Sequence, residues 1–257
     1  MAPASPRTGL NSSTLIRLLA DLRVADVASS KQGLTERLGG WLDWTDAIAL
    51  SAALNSAGTA RPSVLKSGAQ TPAMAAIEEL AQLRADLGHA IATDNAFAAD
   101  KPGLTAPTLT PGAPVGCETD FSSCRRACLA HQRAMEARIG VLRVRVRAAL
   151  ASLSPDLGRL AALDAVLDAA LSARERQLLA KVPALLEVHA ERQGRAQRDA
   201  QSATPEPDGQ AAGAQPAAWL ARVGQDMQAV LLAELDIRLQ PVEGMVEAMR
   251  KDATRRR

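Results

Sequence analysis

The stretch FSSCRRACLAHQRAMEARIGVLRVRVRAAL, residues 121–150, decides the fold class. Phe121, Cys124, Cys128, His131, Met135, Ile139, Leu142, Val146 and Leu150 recur every three or four residues, which lines them along one side of a long helix. Ser154-Pro155-Asp156 then supplies a stop, a capping hydroxyl and a proline at a first helical position, where its missing N–H costs nothing. Leu157, Leu160, Leu163, Leu167, Leu171, Leu178, Val182 and Leu185 continue the same period. Two long helices joined by a tight turn predict an antiparallel αα-hairpin over 118–200, with Pro183 kinking or dividing the second helix near Lys181.

Composition agrees with helices and argues against a pocket-building enzyme. The chain has 257 residues, 47% of them hydrophobic, but only three Trp, two Phe and no Tyr. Its core must therefore come from aliphatic side chains and close Ala contacts, which suits helix packed on helix better than a sheet. The expected fold is all-α, a helical bundle with coiled-coil-like stretches and flexible Pro/Gly/Ala linkers. No phosphate loop, dinucleotide fingerprint or nucleophile elbow is present, so no reaction, cofactor or small-molecule substrate is assigned.

The remaining organisation follows from caps and breakers. Residues 1–10 form a leader, and 11–98 an N-terminal helical region interrupted by a spacer at 55–71. Asn11-Ser12-Ser13-Thr14 caps a first helix, Gly39-Gly40 is a joint, and Thr71-Pro72 starts the next long helix. Residues 99–117 and 201–216 are linkers rich in Pro, Gly and Ala. The C-terminal part, 217–257, carries a wide apolar face from Trp219 through Met227 and Leu231 to Leu239, with Pro241 ending that helix before a short last one and a basic tail.

Net charge is +2, too small to imply a polyanion partner, although Arg outnumbers Lys 25 to 5. No segment has the roughly 20 apolar residues that span a membrane, and the N-terminus lacks the apolar region of a secretory signal. Three cysteines, an odd set in a chain of this size, fit a reducing compartment. The expected location is the cytoplasm.

Four groups of residues invite a functional reading. Cys124, Cys128 and His131 share a helix face, and Cys117 precedes them, a set able to hold zinc. They also lie on the apolar stripe, so packing explains them without a metal. Seven arginines between Arg125 and Arg147 face one acid, Glu136, so Arg138, Arg143, Arg145 and Arg147 can form a solvated basic ridge for phosphate contacts. Trp41 and Trp44, with Asp43 and Asp46, offer either an anchor for a partner or a local core with a helix cap. Trp219, Met227, Leu231 and Leu239 offer an apolar face for a protein partner or a second copy. His89 and His189 have no companions in sequence and receive no role.

Several blocks are similar to a bacterial family of uncharacterised all-helical proteins. These are Arg7 to Ser12, Trp41 to Ile48, His131 to Glu136, Leu160 to Asp164, Gln225 to Gln228 and Leu231 to Asp236. The resemblance implies no activity. It implies aromatic residues at the positions of Cys124 and Cys128 in relatives, which weakens the zinc reading. It also implies genes set beside envelope proteins with peptidoglycan-binding or motor-stator-like domains, and hence a soluble component of an envelope-associated assembly. The expected function is a non-catalytic interaction or scaffold protein. The alternatives are a nucleic-acid-associated protein using the Arg-rich face of 121–150, and an enzyme of unrecognised class.

Overall fold

The computed structural model describes residues 13–23, 36, 39–55, 72–98, 121–203 and 215–255. The leader, the spacer interior, both linkers and Cys117 lie outside the described residues. Every regular element among the described residues is helical: α1 (Thr14–Asp21), α2 (Trp44–Asn55), α3 (Pro72–Ala92), a 3-10 turn (Asn95–Phe97), α4 (Ser122–Leu153), α5 (Pro155–Leu179), α6 (Val182–Ala203) and α7 (Gln215–Arg255).

Local chemistry sets the helix starts. The Ser13 hydroxyl accepts from the Ile16 amide at 3.3 Å and caps α1. At α2, Asp43 Oδ1 accepts from the Asp46 amide at 2.8 Å, while Asp46 Oδ2 accepts from the Asp43 amide at 3.1 Å. This reciprocal box satisfies two amides that the helix itself leaves orphaned. Ser154 Oγ accepts from the Leu157 amide at 3.2 Å, and Pro155 opens α5. The chain breaks again at Ala180 and Lys181 before α6, where Pro183 falls in the first turn and forfeits no helical bond.

Pro241 behaves differently from the sequence expectation. It sits inside α7, which continues to Arg255 instead of ending there. An interior proline costs about 3 kcal/mol. Beyond it Val242, Met245, Val246 and Met249 are all buried, and each such side chain returns roughly 1.5–3 kcal/mol. Burial wins, and the exposed proline ring is carried along on the outer side.

The chain divides into two compact units. The first comprises Met1–Ser29, Gly88–Arg133 and Ala180–Glu234. Its core gathers Leu15 and Leu19 of α1, Ile91, Phe97, Phe121, Cys124 and Cys128, Leu186 and Ala190 of α6, and Val223, Met227, Val230 and Leu231 of α7. Gly224 lets the α7 backbone lie directly against the carbonyl of Phe97.

The second comprises Ser30–Leu87, Ala134–Leu179 and Leu235–Arg257. Met135, Ile139, Leu142, Val146 and Leu150 of α4 are buried there, with Leu235, Leu239 and Met249 of α7 and Leu83 and Leu87 of α3. Ion pairs join Glu136 to Arg176, Arg143 to Asp168 and Arg147 to Asp164. Partners rise along α4 as they descend along α5, so the two helices run antiparallel around Ser154. Leu160, Leu163, Leu167 and Leu171 of α5 are half-buried and Leu178 is exposed, so this stripe is shallower than that of α4. α2 packs against α5.

Candidate interaction surface

α2 is apolar on both sides. Its inner residues are Asp46, Ala49, Leu50 and Ala53, all buried or half-buried. Its outer residues, Trp44, Ala47, Ile48, Ser51, Ala52 and Asn55, follow at steps of three and four, and all are exposed. Trp44 is 80% exposed, Ile48 54% and the flanking Leu54 58%. A helix apolar all round is normally covered all round; here the larger side chains are on the face that no other described residue buries. The capping box fixes the first turn, and the Thr45 hydroxyl and the Asp46 amide hold the Asp43 carboxyl below its ordinary pKa. Trp41, 42% exposed, lies under the guanidinium of Arg174 at 5.9 Å. The two aromatics that sequence singled out are thus on the surface, with Ile48 and Leu54 beside them.

The apolar face of α7 is placed otherwise. Met227, Leu231 and Leu239 are buried, so these expected interaction residues are core, and Trp219 is half-buried with its ring against Gly194 of α6. Neighbouring helices on more than one side consume a face too broad for a single helix.

The basic ridge is also placed otherwise. Arg143 and Arg147 are largely buried, each bonded to both Asp164 and Asp168 at 2.6–2.9 Å. Burial pushes the Asp164 carboxyl up, but hydrogen bonds and charge from the two arginines outweigh it and hold the pKa below the ordinary value. Arg138 pairs with Asp86 and Arg145 with Glu79, both on α3. These two pairs cross an open groove of about 710 Å³ between α3 and α4, floored by Leu83, Leu142 and Val141. The four guanidinium groups are occupied by carboxylates that lie far away in sequence.

Cys124, Cys128, His131 and His189 are engaged in part-buried and buried polar contacts of the first unit, a seam of hydrogen bonds between side chains and backbone. Cys124 Sγ donates to the Ala96 carbonyl at 3.1 Å, and His131 Nε2 meets Asp94 Oδ2 at 2.8 Å, its ring 6.1 Å from that of Phe97. Burial, reinforced by Cys124, Glu234 and Asp94, pushes the Cys128 thiol up to about 12. Gln132 Nε2 donates to the fully buried Glu234 at 2.9 Å, and Gln228 Nε2 donates to the last carbonyls of α3, Ile91 and Ala92. His189, which received no role from sequence, meets Asp226 at 2.9 Å. Among the described residues no group of three or more His, Cys, Asp or Glu has metal-holding geometry.

Five residues of this seam, His131, Gln132, Asp226, Gln228 and Glu234, lie in the blocks that carry the family resemblance. Residues 1–251, nearly the whole chain, match one family, described as a protein of unknown function, DUF3348. The chain belongs to DUF3348. No curated protein and no solved structure matches it. Among the described residues of this DUF3348 protein, no helix is long and apolar enough to cross a membrane.

Proposed function

We propose that this DUF3348 chain is a non-catalytic interaction protein that engages its partner through the outer face of α2. One observation carries the reading: α2 is apolar all round, and the described residues cover its less bulky side while Trp44, Ile48 and Leu54 stand exposed. Tryptophan on a pre-capped helix is an economical anchor, because little conformational freedom remains to be lost on docking. The setting we propose is cytoplasmic and envelope-associated. Support for it comes from the family resemblance and from the two buried cysteines, Cys124 and Cys128, which are not joined in a disulfide.

Two other readings have less support. A nucleic-acid role needs free guanidinium groups, and Arg138, Arg143, Arg145 and Arg147 already face carboxylates. Thiol catalysis needs an accessible thiolate, and Cys128 is buried and protonated.

A photo-crosslinking amino acid placed at Trp44 of the full chain in cells tests the proposal, with the same residue at exposed Glu191 of α6 as control. Discrete adducts at position 44 and none at 191 are expected. Absence of adducts at 44, or the same adducts at both positions, contradicts it.

A further inference from the structure

We infer that Arg84 of α3 is a strap across a weak turn of α7, and that this turn opens and closes with the two ion pairs Arg84 makes. The inference is independent of the interaction reading at α2.

Sequence makes the turn weak. Pro241 has no N–H, so the helical bond to the Ile237 carbonyl is missing, and the ring crowds that same carbonyl. Three residues on, Gly244 is a poor helix former. Among the described residues it has no neighbour within 4 Å of where a Cβ would sit, so packing there does not make good the loss.

The strap spans this turn from another side of the helix. Arg84 Nη2 donates to Asp236 Oδ1, and Nη1 donates to Glu243 Oε1 at 2.7 Å. One planar guanidinium therefore joins a residue before the proline to a residue after it. Asp236 and Glu243 are a heptad apart and fall within about 20° of each other around α7, whereas Pro241 lies about 140° from Asp236. Relieving the clash between ring and carbonyl opens the proline side of a helix and closes the opposite side, which is the side Arg84 ties together. The hydrogen bond to Asp236, with the charge of both carboxylates, pushes the guanidinium pKa up despite its partial burial.

Magnitude decides what the strap controls. The side chains of Arg84, Asp236 and Glu243 are 47%, 52% and 35% exposed, and pairs so exposed add little to global stability. A local opening is a smaller event: Val242, Met245, Val246 and Met249 stay buried beyond the proline, and only the helical bonds beside the missing one have to break. There a weak pair changes the population of the open turn directly.

Amide hydrogen exchange of the full chain tests this, read at Val242, Glu243 and Gly244, whose helical bonds flank the missing one. Arg84→Ala should speed their exchange about threefold to tenfold, with the α4 amides from Met135 to Leu150 unchanged as the control for an intact fold. Sodium chloride at about 1 M should do the same to the wild type and nothing further to Arg84→Ala. In a Pro241→Ala background, where the bond to Ile237 can form, Arg84→Ala should change these rates by less than about twofold. Unchanged exchange in Arg84→Ala, or equal acceleration with and without Pro241, overturns the inference. Should Arg84→Ala lose its α4 protection, the wild type in salt decides: acceleration confined to 242–244 supports the strap, and no acceleration, or acceleration shared by α4, refutes it.

Discussion

Gly224 of α7 lies so close to Phe97 that a Cβ at position 224 would come within 2.0 Å of the Phe97 carbonyl oxygen. The obstacle is backbone, not the end of a flexible side chain, so the first unit must shift to accept any larger residue. Alanine in a helix gains about 1 kcal/mol of propensity over glycine. Gly224→Ala is nevertheless expected to destabilise by about 1–3 kcal/mol, the usual cost of overpacking, as measured by urea unfolding. Neutral or increased stability would show that the two backbones do not approach this closely.

The Arg143–Asp164–Arg147–Asp168 cluster should dominate the ionic contribution to the hairpin. Asp164 is the more enclosed acid, with a side chain 11% exposed against 33% for Asp168. Asp164→Ala removes three charged hydrogen bonds and leaves both arginines sharing Asp168 alone, and is expected to cost about 2–3 kcal/mol, more than Asp168→Ala. Arg143, read from sequence as solvated, should also be costly to remove. Equal unfolding midpoints for wild type and Asp164→Ala would refute the cluster.

Acid should expose the same cluster. The folded-state pKa of Asp164 lies below its ordinary 3.8, so its contribution is complete above the unfolded value. That contribution is lost as pH falls through the lower folded value. Stability should therefore decline below about pH 5, and Asp164→Asn should make the decline shallower. Parallel acid profiles for the two proteins would count against the assignment.

Native thiol chemistry offers an independent check. Cys124 and Cys128 are buried, and the Cys128 thiol is pushed up to about 12, so neither sulfur is open to a reagent in the folded chain. Peptide mapping after brief alkylation should find both unmodified in the native chain and modified after denaturation. Rapid labelling under native conditions would place them at an open site.

Much of the architecture was legible from residue spacing. The α4 stripe from Phe121 to Leu150 is buried at every apolar position named, and the cap at Ser154 and the break before Pro183 lie where local chemistry requires them. Periodicity reports which side of a helix is apolar, not how many neighbours that side meets. For that reason the period of the α5 leucines did not show that Leu160, Leu163, Leu167 and Leu171 are only half-buried, and the α7 face was offered to a partner although Met227, Leu231 and Leu239 are buried. Pairings across the chain were illegible for a similar reason: His131 and Asp94 are 37 residues apart, as are His189 and Asp226. At α2, Trp44 was visible as an anchor or a core residue, and its exposure sets the core reading aside.

The α7 assignment changes an expected truncation result. Leu231→Ala should cost about 2–5 kcal/mol and Leu167→Ala clearly less, following their burial. Removing residues 217–257 takes buried side chains from both units and should unfold the chain, as read by loss of cooperative melting. A helical, cooperatively melting truncated chain would return α7 to the surface.

Hydroxyl-radical footprinting of Trp44, in the dilute purified chain and again in the cell, tests the central claim most directly. Exposure at 80% predicts heavy oxidation of Trp44 in the dilute chain, and a covered α2 face predicts strong protection in the cell, with Glu191-containing peptides unchanged between the two. Equal, heavy oxidation of Trp44 in both settings would contradict the account, because it would mean that nothing covers α2.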